Sequence, residues 1–295
     1  MLHPTPPSAS PSYCFCTLAV GQRYRQHAKM LAADLQTHAP STPLIVLSDR
    51  PTEFAELPNV KAFKHRLRST KGYHDKRFVL AQALALFESC IFVDADVRIL
   101  GPVPEDIPFA PGIVARYGCG IIKHNTEHKI RAPFAPIQVV ASTLNLNLPT
   151  VSWMHECMFL ASRQQGKEKA FFQLWQSMAY YFENLGIYCG EGNIIGLAAA
   201  KSGFNLRFHR HDFFPCFKDS IYKEQIKQGT HDPHTMAEEF AVHRAIEYPK
   251  RSRLQKVQNK VSQALSFRTR WLAVKWRSRQ DKLTQTFLRL HAQQS

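Results

Sequence analysis

Hydrophobic and polar positions along the chain alternate between short apolar runs and amphipathic segments. Residues 13–20, YCFCTLAV, are rich in β-formers and predict a first strand. Residues 21–38 follow, with Tyr24, Ala28, Leu31 and Leu35 on one helical face. TPLIVLSD (42–49) predicts a second strand and NVKAFKH (59–65) a third. HDKRFVLAQALALFE (74–88) predicts a helix with Asp75 as its cap, and IFV (91–93) the next strand. Continuous apolar strands in this β-α-β-β-α-β order predict an α/β fold, a mostly parallel, Rossmann-like sheet flanked by helices. Beyond it come an apolar segment (112–123), a Pro-containing helix or loop region (131–149) and a strand-helix unit (152–183). YCGEGNIIGLAAAKSGFNLRF (188–208) then predicts a turn, a small-residue helix and another strand.

Composition narrows the class. At 44% apolar and 11% aromatic, 295 residues can bury a sizeable core. No segment has the roughly 18 consecutive apolar residues of a membrane-spanning helix. The Pro/Ser-rich residues 1–12 lack the charged start and apolar core of a signal peptide, and are expected to form a disordered leader. Seven scattered cysteines suggest buried, reduced thiols in a cytoplasmic protein, and the Cys14-x-Cys16 pair is expected to pack in the core. Gly118-Cys119-Gly120 is a lone G-x-G and carries no assignment. The net charge of +15 is concentrated in residues 248–295, which hold twelve Lys/Arg and one acid (+11), against 26 and 22 (+4) in the remainder.

The sharpest chemistry is in SCIFVDADVRIL (89–100), where a buried strand runs into two carboxylates. Residues two apart on extended chain point to one side, so Asp94 and Asp96 could face one ligand, with Ala95 between them. Their hard oxygens suit Mg²⁺ or Mn²⁺ with a diphosphate in the open positions. Lys71, Lys76 and Arg77, just ahead of the strand, could contact phosphate or ribose oxygens. The plainer alternative is that the two aspartates make turn contacts at a strand end.

The succession CTLAVG, YRQHAKMLAADL, LIVLSD, KRFVLAQALALF and IFVDADVRIL resembles GT-A-type glycosyltransferases over about residues 13–245. The resemblance implies transfer of a sugar, hexosyltransferase-like, from a nucleotide-diphosphate donor to a glycan or lipid-linked acceptor. It divides the catalytic domain 13–247 into a nucleotide side (13–100) and an acceptor side (101–247). It implies Mn²⁺ or Mg²⁺ held by Asp94 and Asp96, with Thr17, Leu18 and Ala19 where the nucleoside is held. Glu191, in CGEGNIIG, stands where such enzymes place an acidic residue, and a general base is its implied role. A late histidine is the implied third metal ligand. His231, His234 and His243 compete for that place, and His243 is preferred. His209, His211 and Asp212 could line the acceptor side, and Trp153, His155 and Glu156 the donor sugar or acceptor. No C-terminal H-x-x-G-x-x-K signature is evident, so the chain is not assigned to the glycogenin-like subfamily.

Two other classes compete. DADVRIL also fits haloacid-dehalogenase-type phosphatases, with Asp94 as nucleophile, but about ninety residues of α/β chain precede it and no later G-D or D-D follows. The third class is a non-catalytic module anchored by its tail. Residues 250–290 predict one long basic amphipathic helix or two shorter ones, with Leu254, Val257, Val261 and Leu265 on a stripe and Trp271 and Trp276 beyond. That composition suits an anionic membrane surface, at the inner face of a membrane; a helix packed on the body or solvated is the plainer alternative, and nucleic acid fits least.

Overall fold

The computed structural model describes residues 12–127, 134–209 and 212–294. The leader expected over 1–12 lies, except for Ser12, outside the described residues, as does His211. The strands are β1 (Tyr13–Ala19), β2 (Leu44–Ser48), β3 (Val60–Lys64), β4 (Ser89–Val93), β5 (Arg98–Ile99), β6 (Gly112–Ala115), β7 (Gly118–Gly120), β8 (Ser152–Met154), β9 (Met158–Ser162), β10 (Leu206–Phe208) and β11 (Cys216–Phe217). The helices are α1 (Gln22–His38), α2 (Lys76–Leu86), α3 (Ile121–Glu127), α4 (Phe134–Thr143), α5 (Lys167–Asn184), α6 (Glu191–Ser202), α7 (Asp219–Lys227), α8 (Ala237–Glu247), α9 (Arg253–Gln280) and α10 (Lys282–Gln294).

Seven strands form one sheet in the order β10-β6-β9-β4-β1-β2-β3. β3, β2, β1 and β4 are parallel; β2 and β4 are continuous buried apolar runs, whereas β3, VKAFK, alternates with lysine at the sheet edge. β9 runs antiparallel to both β4 and β6, and β10 is parallel to β6. The fold is therefore α/β, a mostly parallel mixed sheet flanked by helices. Side-chain alternation builds a core on each face. Cys14, Cys16, Cys90 and Phe92 face α2, α5 and α6, while Phe15, Val46, Ile91 and Leu160 face α1. Cys14 and Cys16 are fully buried free thiols within the first of these cores.

Asp75 occupies the cap position of α2, but its side chain makes no cap bond. Its carboxylate turns inward and accepts from Ser69 N at 2.8 Å and faces His65 Nε2 at 2.8 Å, fixing the 65–75 segment beside the sheet. Two glycines fix α6. A Cβ at Gly192 or Gly196 would collide with the carbonyl of Met154 or Ser152, so the helix lies directly on β8.

The boundary expected at 247 does not mark the end of the packed body. Phe287 of α10 is fully buried in the core shared with α5, and Val274 and Ser278 of α9 are buried as well. Asn184 Nδ2 donates to Ser278 Oγ at 2.6 Å, and Thr284 Oγ1 to Ser177 O at 2.9 Å. Leu254, Val257, Val261 and Leu265, earlier on α9, remain exposed. The basic tail thus divides into an exposed first half and a docked second half. Among the described residues, no helix is long and apolar enough to cross a membrane.

Candidate active site

A cavity of about 500 Å³ opens beyond the carboxyl ends of β1 and β4, the side of a parallel sheet where ligands bind. β4 stops at Val93 and the chain turns at once. The Asp94 N–H donates to Cys157 O at 2.8 Å, and the Val97 N–H to Asp94 O at 3.0 Å. Asp94 and Asp96 therefore sit on a turn, which corrects the expectation that extended chain aligns them. Their side chains do not cap that turn; they converge on cations. Lys76, opening α2, places Nζ 2.9 Å from Asp94 Oδ1. The Lys218 ammonium lies between the two carboxylates, 3.3 Å from Asp94 Oδ2 and closer still to Asp96 Oδ1.

Lys218 reaches that position through a two-residue bridge. Ile99 pairs with Cys216 and Arg98 with Phe217, so the residue after β11 lands beside the turn before β5. Sequence reading missed it because a single lysine 122 positions from Asp96 has no local signature. The other side of the cavity belongs to α6. Gly190, with φ of 85°, turns the chain into that helix, and Glu191 follows at its N-terminus. Glu191 Oε1 lies 2.8 Å from Lys76 Nζ, so one lysine joins it to Asp94. Glu156 faces α6 from the β8–β9 connection, and a Cβ on Gly192 would stand 2.8 Å from its Oε2.

Burial opposes charge on all of these groups, and the ionic pattern decides which remain charged. Burial alone would raise the Asp96 carboxyl, but His243 and the Lys218 ammonium outweigh it and hold the group well below the usual carboxylate range. Lys76 and Lys218 are also buried, yet their carboxylate neighbours raise both above an ordinary lysine. Glu191 is lowered because Lys76 and His74 overcome its burial. Glu156 goes the other way. Burial, reinforced by the charge on Glu191, pushes it up to about 8, and its Oε2 has no hydrogen-bond partner. Two carboxylates on one cavity are thus held apart, one ionised and one protonated at neutral pH. Burial, followed by Arg116, lowers His155 to about 4.

His243 of α8 faces the same turn. Its buried Nε2 has no hydrogen-bond partner and lies 3.9 Å from Asp96 Oδ2. Its Nδ1 is 3.6 Å from Asp219 Oδ1. Asp94, Asp96 and His243 offer the oxygen and imidazole donors that suit Mn²⁺, and the orphaned Nε2 is the atom such an ion would employ. The Lys218 ammonium competes for the same carboxylates. His243 also belongs to a second cluster, in which His27, His243 and Glu247 bring one ligand atom each within 4.8 Å of one another. There His27 Nε2 is 3.1 Å from Glu247 Oε1, and Arg23 holds the other oxygen at 2.8 Å.

Leu18, Lys71, Lys76, Asp94, Ala95, Asp96, Glu191 and His243 all line the cavity, as do His155 and Glu156. Thr17 and Ala19 do not: both are fully buried, because alternation on β1 turns only one of three successive side chains outward. Arg77 is likewise no cavity residue. It lies about 100° round α2 from Lys76, buried over the Phe78 and Tyr180 rings with its guanidinium donating to His74 O. His231 bonds Thr235 and packs on Tyr222, and His234 is exposed; neither reaches the cavity. His209 stacks on Phe213, Asp212 pairs with Arg116, and Trp153 stacks on His124 at 3.7 Å, all outside the lining. Besides Lys218, the lining includes Arg23, Tyr24, Tyr73, Asp219 and Glu247, which carry no motif.

No protein-family model matches the chain, and no curated protein shows significant similarity to it.

Proposed function

We propose that the chain is a metal-assisted glycosyltransferase of GT-A type, moving a sugar from a nucleoside diphosphate donor to an acceptor hydroxyl. The observation that carries this reading is the position of Lys76. Its ammonium joins Asp94 of the D-x-D to Glu191 of a distant helix, at 2.9 and 2.8 Å, inside one cavity. The sheet supports the same division of labour. Parallel β3-β2-β1-β4 forms the half expected to hold the nucleotide, and antiparallel β9 joins it to β6 and β10 of the half expected to hold the acceptor.

The residues have complementary tasks. Lys76 and Lys218 are buried cations already resting on carboxylates, and a diphosphate entering the cavity offers them stronger anionic partners. As the anomeric C–O bond breaks, the electron pair passes to the departing diphosphate, where preorganised cations lower the barrier. Transfer of Lys76 to the diphosphate would relieve Glu191 of its ion pair and make it a stronger base. Glu191 then takes the proton from the acceptor hydroxyl as the new C–O bond forms. Glu156, protonated at neutral pH, can donate a hydrogen bond to a sugar oxygen. Asp94, Asp96 and His243 would hold a divalent ion, which supplies Lewis-acid charge to the donor's phosphates when bound.

The test is calorimetric titration with UDP, GDP, CDP and dTDP, each with Mn²⁺ and with chelator, repeated on Asp96→Ala. Selective Mn²⁺-dependent binding of one nucleotide, weakened at least about tenfold in the variant, is expected, the scale of losing a charged contact. Binding of none of the four would overturn the proposal, and burst formation of a phospho-aspartate would replace it with the phosphatase.

A further inference from the structure

Helix α9 presents an unpaired apolar stripe. Leu254, Val257, Val261, Leu265, Leu272 and Trp276 are all exposed, from 53% at Val261 to 77% at Leu254. At about 100° per residue they fall within one band on the helix. Val274 and Ser278, buried against the body, lie on the other side. The charge around the stripe has one sign. From Lys250 to Gln280 the chain holds ten Lys or Arg and no Asp or Glu, and Arg268, Lys275 and Arg279 fall beside the stripe itself.

We propose that this face of α9 docks on the surface of an anionic lipid bilayer. Leucine and valine side chains enter the headgroup–acyl boundary, and the flanking cations meet the lipid charge. Two other occupants match the face less well. A second copy, paired stripe to stripe, would set Lys and Arg against Lys and Arg with no carboxylate to alternate with them. Duplex nucleic acid would match the charge and leave the aliphatic stripe in water.

The same helix holds one rim of the cavity. Arg270 Nε donates to Thr70 O at 2.8 Å and Arg277 to Arg68 O at 2.9 Å, while Leu67, Lys71 and Gly72 of that segment line the cavity. Phe267 packs on Tyr188 at 5.4 Å, next to lining residue Cys189. A docked α9 therefore fixes the height of the cavity above the bilayer. That height suits an acceptor carried on a lipid, a clause that rests on the transferase reading; the docking itself does not.

The experiment is co-sedimentation of the full chain with vesicles of phosphatidylcholine, alone or with about 30% phosphatidylglycerol, at roughly 0.1 M salt. Binding at least about tenfold tighter to the anionic vesicles is expected, and it falls as salt rises. A Leu254→Glu/Val261→Glu/Leu265→Glu variant loses it by about tenfold or more at unchanged melting temperature, because all three positions are exposed. Four results would each overturn the proposal: no anionic preference, undiminished binding by the triple variant, equal affinity for duplex DNA, or a dimer that the triple variant disperses. Nucleotide binding by the same variant reads the transferase proposal separately.

Discussion

The charged side chains of the cavity are balanced one against another, so single substitutions should shift binding in opposite directions. Lys218 is the cation that both aspartates share. Lys218→Met removes the ammonium nearest Asp96 and leaves Asp94 with Lys76 alone, and Mn²⁺ affinity by calorimetry should rise on the order of tenfold as a competing charge is removed. Weaker Mn²⁺ binding in that variant would show that the ammonium and the ion do not compete. Glu156 gives a pH signature. Its carboxyl is raised to about 8, so it adds no penalty below the ordinary glutamate range and costs stability as pH rises from there through 8. Glu156→Gln should therefore melt with the parent protein at pH 4 and several degrees above it at pH 9, at about 2–4 °C per kcal/mol. A difference that does not change with pH would refute the assignment. That Asp94 and Asp96 would line the cavity was legible in the sequence because acids at the end of an apolar strand are conspicuous, and Glu191 was reached through the resemblance. Lys218 and the contrast between Glu156 and Glu191 were not, because both depend on segments brought together by pairing and burial.

Elements were more legible than their relations. The strands of the first half could be read from apolar runs, and α6 from its small residues, since burial on two faces and close packing both leave local traces. Strand direction leaves none: a five-residue buried run reads alike either way, so the antiparallel setting of β9 was hidden. The division of the tail was hidden for a similar reason. One stripe is visible along α9, but which half meets the body depends on α5 and α4. Packing now makes α10 a structural element. Phe287→Ala should destabilise the chain by about 3–5 kcal/mol in urea unfolding, the usual cost of deleting a buried ring. A cost near zero would mean that α10 is dispensable. At the α6–β8 contact, Gly196→Ala should cost about 1–3 kcal/mol, because the Ser152 carbonyl must move aside.

At the scale of the whole molecule, nearly balanced body and basic tail form one unit, since α10 completes the core that α5 begins and the buried Val274 and Ser278 hold the end of α9 against the body. The sheet order also has a consequence for synthesis. β6 is made before β9 but lies beyond it, with β9 between β6 and β4. From Ala115 to Met158 the ribosome adds 43 residues (158 − 115), about 2–9 seconds at roughly 5–20 residues per second. Through that interval β4, paired with β1 on one side, has a bare edge on the other, and β6 has no neighbour to join, so the nascent chain carries open strand edges that could capture others. The last strand added to the middle of the sheet is the one that ends this exposure, and the speed of decoding between them sets how long it lasts.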